Sequence, residues 1–382
     1  MATATIEYWF ICTPYDGKTT ATSLEESTKD IAFCSKLKLP DFKVGTLDSL
    51  MGLMDELTKL ESSTEVVLKK VAQQLGENLK HESEGNITEN YVAARMPLDE
   101  YLTKFQWDAA KFPIRQPLPN IAEMIGKQVA QIEQDLKVKS SQFSTIRNQV
   151  EAITRKSTGS LLTRSLHDIV RKEQFVLDSE YIQTVLIVVP KSLNSDWHNS
   201  YEKLTDMIVP RSCIEITNDS EHYLYAITLF TKVIDEFKTR AREKKFIMRD
   251  FKYDEEGMLK EKLEFKKLEQ DLKNQKGPLL RWLRINFGEV FIAQIHIKIL
   301  RLFVESVIRY GPTADLNANT VRLPVKKQKK VRDILNNLYS HLDTSVGNIS
   351  LADVQDIPGL NLMGQEYYTY VFCKLVMDFI PK

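Results

Sequence analysis

Apolar residues recur in a 4-3 alternation at Ile125, Val129, Ile132, Leu136, Phe143, Ile146, Val150 and Ile153, broken only at Lys139. A run of roughly 35 residues with this period specifies a helix about 50 Å long at 1.5 Å per residue. That is longer than a small domain is wide, so whatever the chain folds into must accommodate a rod. Asn120 is the candidate N-cap. Lys139 fits a partly solvated seam or a register device better than a globular core. A second charged stretch, 254–275, places Leu259, Leu263, Leu268 and Leu272 at similar spacing and reads as the antiparallel return partner.

Between the two rods the period changes. Tyr181 to Val189 is a β-branched run closed by Pro190, a buried strand. Residues 192–207 read as a helix with Trp197, Tyr201, Leu204 and Ile208 on one face, and Pro210 stops it. Residues 212–217 and 222–229 make two strands joined across Asn218-Asp219-Ser220. Residues 232–244 are helical with Val233, Ile234 and Phe237 inward, and 246–253 alternates as a last strand. The order β-α-β-β-α-β predicts a ferredoxin-like domain carried on a two-helix stalk.

Outside the rods, Ile6 to Cys12 reads as an opening strand that needs a partner elsewhere. A strand at 33–42 runs into an amphipathic helix at 46–68, and 98–111 is helical until Pro113, Pro117 and Pro119 break it. After Gly277-Pro278 helix resumes, with Phe287, Phe291, Ile295, Ile299, Leu302, Val304 and Ile308 forming a wide apolar face that ends at Gly311-Pro312. A basic helix follows at 326–337, and 367–376 is a closing strand. The chain leaves by one rod and returns by another, so its two ends share one domain. The expectation is an elongated, mostly helical α+β dumbbell: foot 1–119, neck helix 120–157, head 158–253, return helix 254–284, and the rest of the foot 285–382. No internal sequence repeat is visible.

Charge and chemistry narrow the function. Lys plus Arg and Asp plus Glu are equal at 52 each, so no whole-molecule field gathers nucleic acid or an anionic membrane. Cys12, Cys34, Cys213 and Cys373 lie too far apart for a metal knuckle and read as idle thiols of a reducing cytosol. The run Tyr8 to Cys12 is too short for a secretory leader. The best stretch for a bilayer span, 285–308, is interrupted by Glu289, Lys298, Arg301 and Glu305. Gly17-Lys18-Thr19 ends like a phosphate-binding loop, but the glycine required five residues earlier is Cys12, so a polar turn is expected. Ser165 with His167-Asp168 is no triad, since neighbours in sequence do not face one another on a helix. His81, His198, His222, His296 and His341 lack HExxH or HxH spacing, and His296, on an apolar face, reads as a satisfied core imidazole. No catalytic, cofactor or metal residue is assigned.

Basic clusters remain: Lys244-Lys245, and Lys326-Lys327 with Lys329-Lys330 and Arg332. A charge run is ordinarily a solvated face. The alternative is docking onto acidic protein surface, and nucleic acid is disfavoured because interleaved aromatics are missing.

Several strings carry a resemblance: GSLLTRSLHDIV from Gly159, FVLDSEYI from Phe175, VVPKS from Val188, VPRS from Val209, AREKKFIMRDF from Ala241 and HIKILRLFVESVIRYG from His296. With LPDFKVGTLDSL from Leu39 and FQWD from Phe105 they span nearly the whole chain in order. Together they resemble the C subunit of the eukaryotic vacuolar-type proton-translocating ATPase. The resemblance implies a non-catalytic stalk subunit with a head, neck and foot. Its head would bind a peripheral stalk of the E and G subunits, and its foot another such stalk and the cytosolic N-terminal domain of the membrane-embedded a subunit. It further implies control of reversible assembly, a place on the cytosolic face of vacuolar, endosomal, lysosomal and other acidified membranes, and reported actin and nucleotide binding that no motif here supports. The lysines named as docking residues are Lys244 and Lys245 on the head and Lys326, Lys327, Lys329 and Lys330 on the foot. An enzyme with a site between head and neck, and a cytoskeletal coiled-coil scaffold, are the rival readings.

Overall fold

In the computed structural model the described residues are 6–15, 21–80, 90–177, 179–345 and 368–379. The Gly17-Lys18-Thr19 turn and His81 lie outside them. The elements in chain order are β1 (Ile6–Pro14), α1 (Ala21–Thr28), β2 (Phe33–Leu37), α2 (Leu47–Leu79), β3 (Val92–Ala93), β4 (Met96–Pro97), α3 (Leu98–Thr103) and α4 (Leu118–Thr158). Then come β5 (Ile182–Pro190), α5 (Asn194–Ser200), β6 (Ile214–Asn218), β7 (His222–Phe230), α6 (Ile234–Glu243), β8 (Ile247–Arg249) and α7 (Glu255–Tyr310). The chain closes with β9 (Leu316–Pro324), α8 (Gln328–Leu338) and β10 (Val371–Val376). This is an α+β protein, mostly helical, with two compact units: 1–139 with 277–382, and 140–276.

The first unit is built on a four-stranded antiparallel sheet, β10-β1-β9-β2. β1 is buried from Tyr8 to Thr13, as a strand flanked on both edges and covered on both faces must be. On one face Trp9 and Ile11 pack with Val321, Leu323 and, from α8, Val331 and Leu335. On the other, Tyr8 donates to Asp99 of α3 at 2.6 Å, and Cys12 is in contact with Ser306 of α7. Burial with loss of water pushes the Cys12 thiol up to about 11, so it stays protonated. α2 begins at Thr46, whose hydroxyl caps the Ser49 N–H. It packs on α7 through a buried charge cluster: Glu61 takes Lys298 and, at 2.8 Å, Arg301, while Lys298 also donates to the Lys374 carbonyl at 2.8 Å. Burial alone would raise the Glu61 carboxyl, but the two cations outweigh it and hold it below the usual range. Gly288 lets α7 approach the β3-β4 hairpin, since a Cβ there would lie 2.8 Å from the Val92 carbonyl oxygen.

The second unit carries the sheet β6-β7-β5-β8, antiparallel throughout. Counted along its own chain this is 2-3-1-4, the split β-α-β-β-α-β order anticipated for the region. Trp197, Tyr201, Leu204, Phe237 and Phe246 cover one face, and Leu161, Leu166 and Val170 cover the other. The GSLLTRSLHDIV string is the segment pinned there. Asp219 accepts from the Leu161 N–H at 3.0 Å, and the Arg249 guanidinium donates to the Leu161 and Arg164 carbonyls at 2.8 and 2.9 Å.

Several expectations shift. α4 starts at Leu118, so Asn120 lies inside its first turn and is no N-cap. α3 ends at Thr103 rather than near 111, because Phe105 to Phe112 turn back onto His296 instead of continuing as helix. α7 runs through Gly277 and Pro278 unbroken; both are exposed, so the Asn274 carbonyl that Pro278 cannot satisfy is open to water. Leu259 and Leu263 are 57% and 67% exposed, while Met258, Phe265, Leu268 and Leu272 are half-buried. The covered face of that stretch is thus rotated from the leucine series expected to be inward. Lys139 is exposed with its ammonium 5.9 Å from the centre of the Trp282 ring, a cation–π contact at the interruption of the apolar series. β9, central in the first sheet, has no counterpart among the strands anticipated from sequence.

Candidate docking surfaces

The lysines singled out from sequence are all exposed, but their local settings differ. Lys244 and Lys245 end α6. The Lys245 N–H donates to the Arg242 carbonyl at 3.0 Å and the Phe246 N–H to the Ala241 carbonyl at 2.9 Å, with Lys245 in the left-handed region at φ 64°. This closes the helix, and buried Phe246 anchors it. Cations at a helix C-terminus also suit its dipole, so the fold by itself supplies a reason for this pair. They line a shallow cavity of about 480 Å³ beside Asp196 and Glu243, a surface of mixed sign.

Lys326 and Lys327 sit in the 3-10 turn Val325–Lys327, and Lys329 and Lys330 in the first turn of α8. Lys327 Nζ reaches the Asp30 carbonyl at 3.2 Å. Among the described residues none of the four makes an ion pair, and the first turn of α8 holds no acidic residue. Arg332 leaves this cluster. Its guanidinium lies 4.6, 4.0 and 4.5 Å from the ring centres of Trp9, Tyr368 and Phe372, so it is a packed core cation rather than a free surface charge.

His296 is a core imidazole. Nδ1 donates to the Ile292 carbonyl at 2.7 Å, leaving Nε2 to accept from the Asp108 N–H at 3.1 Å. Phe105, Trp107 and Phe112 surround the ring, and burial pushes its pKa down to about 4. The FQWD string is thereby a clamp on α7. His167 does not face Ser165 as a base would; its Nδ1 lies 2.7 Å from Glu261 of α7, with Phe251 alongside. Among the described residues no group of three or more His, Cys, Asp or Glu side chains is placed to hold a metal ion. No described helix is long and apolar enough to cross a membrane.

One surface has no sequence signal. Tyr181 (72% exposed), Met207 (58%) and Phe230 meet at one end of the second sheet, where the Thr231 N–H donates to the Tyr181 carbonyl at 2.9 Å and the Phe230 N–H to the Met207 carbonyl at 3.2 Å. They come from three separate segments, so no periodicity announces them.

The family model of the V-ATPase C subunit matches residues 8–371, and the chain belongs to that family. It is 47% identical over 384 residues to the V-type proton ATPase C subunit, form 1-A, of Danio rerio, covering 98% of this chain and 99% of the relative. It is 49% identical over 375 residues to form 1 of the same subunit in Rattus norvegicus, covering 97% of each. To the C subunit of the Manduca sexta V-type proton ATPase it is 48% identical over 382 residues, covering 98% of this chain and 99% of that one. The solved cytoplasmic N-terminal domain of the V-ATPase I subunit, a homolog of the a subunit, aligns at a TM-score of 0.27 with 11% identity, over 87% of this chain and 98% of that one. That likeness is too loose to bear on the fold. The family match replaces the coiled-coil scaffold reading.

Proposed function

We infer that the chain serves as a non-catalytic stalk subunit of a V-type proton ATPase, supporting ATP-driven proton transport without performing the chemistry. The observation that carries this is identity of 47–49% across nearly the full length of relatives bearing that name. In the finer reading, residues 158–253 form a head that binds an E-G peripheral stalk. The two parts 1–119 and 285–382 form a foot that meets a second stalk and the cytosolic domain of the a subunit. The segments 120–157 and 254–284 form an antiparallel neck, giving an elongated dumbbell on the cytosolic face of vacuolar, endosomal and lysosomal membranes. Two docking ends on one body reinforce each other through effective concentration, so losing either releases the bridge and allows reversible assembly. Lys244 and Lys245 on the head and Lys326, Lys327, Lys329 and Lys330 on the foot are its proposed contact charges. Actin, implied by the resemblance alone, stays outside the proposal.

The test is capture of the full chain by purified E-G heterodimer and, separately, by the cytosolic domain of the a subunit. Binding to neither sinks the stalk reading. Small-angle scattering tests the shape: a compact chain of this length has a radius of gyration of about 21 Å, and the dumbbell must exceed it.

A further inference from the structure

The two units share one module. β1-α1-β2-β9-α8-β10 gives the sheet β10-β1-β9-β2, and β5-α5-β6-β7-α6-β8 gives β8-β5-β7-β6 when read from its other edge. Counted along each module, both are 4-1-3-2. The likeness extends to the turn after the third strand. Phe230 (φ −73°, ψ 141°) and Pro324 (φ −70°, ψ 136°) each lead into a three-residue 3-10 turn. Val233 (φ −103°, ψ 4°) and Lys327 (φ −102°, ψ 4°) then open α6 and α8. Four and eight residues on, Phe237 and Ala241 face the core in one helix, Val331 and Leu335 in the other.

This match aligns Asp235 and Glu236 with Lys329 and Lys330. Acids at the first turn of a helix suit its dipole and lysines oppose it. The same backbone junction is therefore built with the favourable charges in one module and the unfavourable ones in the other. Folding does not require lysine there. A cationic patch kept against the helix dipole, exposed and without an ion pair among the described residues, points to a partner that neutralises it.

Resting on the stalk-subunit reading, we propose that Lys326, Lys327, Lys329 and Lys330 form an electrostatic dock for an acidic protein surface of the same complex; at the corresponding α6 junction only Lys326 has a counterpart, Lys232, while Val233, Asp235 and Glu236 stand in place of the other three. Four cations around one turn match a partner carrying several carboxylates. Asp30, whose backbone carbonyl accepts from Lys327 Nζ at 3.2 Å, and Asp333, one turn on, are acidic residues close to the cluster, and neither forms an ion pair with the four lysines. The proposal rests on side-chain charge, not on the backbone N–H groups of the helix start. Exposed charges of this kind act chiefly on association rate and its salt dependence.

The experiment transplants the second unit's own pair, Lys329→Asp with Lys330→Glu, into the full chain. Reassembly onto V-ATPase membranes stripped of their own C subunit is followed at low and physiological salt. A second variant changes all four lysines to Gln. The double variant is expected to melt at or above the wild-type temperature, and both variants to rejoin at least tenfold more slowly at low salt with a flatter salt dependence. Wild-type kinetics in both variants overturn the dock, and so does a lowered melting temperature in both, which would make the lysines part of the fold. Vesicles of phosphatidylserine, with phosphatidylcholine beside them, cover the lipid alternative. Lysine-dependent capture by the anionic vesicles together with wild-type kinetics on the membranes assigns the patch to lipid instead. A wild-type chain that itself fails to rejoin defeats the stalk reading, an outcome distinct from wild type and variants rejoining alike.

Discussion

The two copies of the split β-α-β-β-α-β module reach the same sheet by different routes. In the second unit the six elements follow one another from Ile182 to Arg249. In the first, β2 ends at Leu37 and β9 begins at Leu316, so the central pair β1-β9 joins chain ends that meet only in the folded state. The central strands differ accordingly. β5 carries the run Val185 to Val189 and announces itself, whereas β9, Leu-Asn-Ala-Asn-Thr-Val-Arg-Leu-Pro, buries Asn319 and Thr320 beside Val321. A strand clamped between two neighbours has its backbone polar groups paired, so it tolerates a composition that an isolated strand would not. The first unit also buries ionic groups, Glu61 with Lys298 and Arg301, where the core cluster of the second around Trp197 is apolar.

Cutting the chain should expose the difference most strongly. Residues 140–276 alone should unfold cooperatively, since both faces of their sheet are covered from within. Residues 1–139 alone should not, because β1 would lose both of its neighbours, β9 and β10. A cooperative transition in the 1–139 fragment, by calorimetry or denaturant, would contradict the topology. Next in size, Glu61→Gln leaves Lys298 and Arg301 without their buried anion and should cost about 3–5 kcal/mol. Hydrogen exchange should place the loss in the first unit and leave the amides of β5 and β7 unchanged.

A smaller difference depends on pH. The pKa of His296 in the folded state is about 4, below its ordinary value of 6.5, so folding favours the neutral ring. Its contribution is present in full above about 6.5 and is lost as pH falls toward 4, about 3 kcal/mol in all at 1.36 kcal/mol per unit. Exchange in α7 should accelerate over that window in the wild type, and His296→Gln should flatten the response; an identical pH profile in the variant removes His296 as the cause. The smallest effect concerns Lys245. Glycine fits its positive φ without strain, so Lys245→Gly should gain up to about 1 kcal/mol. If Lys245 only closes α6, binding of E-G heterodimer is unchanged, whereas a weakened complex supports it as a contact.

Legibility from sequence followed how local each cause was. The apolar period of α4 and of α7 over 287–308, the strands β1, β5 and β7 and the β-α-β-β-α-β order of the second unit could be read because side chains three, four or two residues apart carry those signals. The satisfied state of His296 followed from its place on an apolar face, and the whole-chain match of motifs was enough to point to the family. Of the candidate site, sequence supplied the lysines but not their ranking. A run of charge looks the same at either end of a helix until the helix ends are located.

The order of residues was therefore sufficient for the α+β character, the length of α4, one of the two modules and the family. Folding in three dimensions settled the rest: the chain ends build a second copy of that module, β9 is a central strand, and Arg332 is caged by Trp9, Tyr368 and Phe372 while its lysine neighbours stay free of ion pairs among the described residues. It also brought Tyr181, Met207 and Phe230 together at one sheet end. The cause is the same in each case: these features arise from pairing and burial between residues far apart along the chain, and such contacts leave no period in the order of residues.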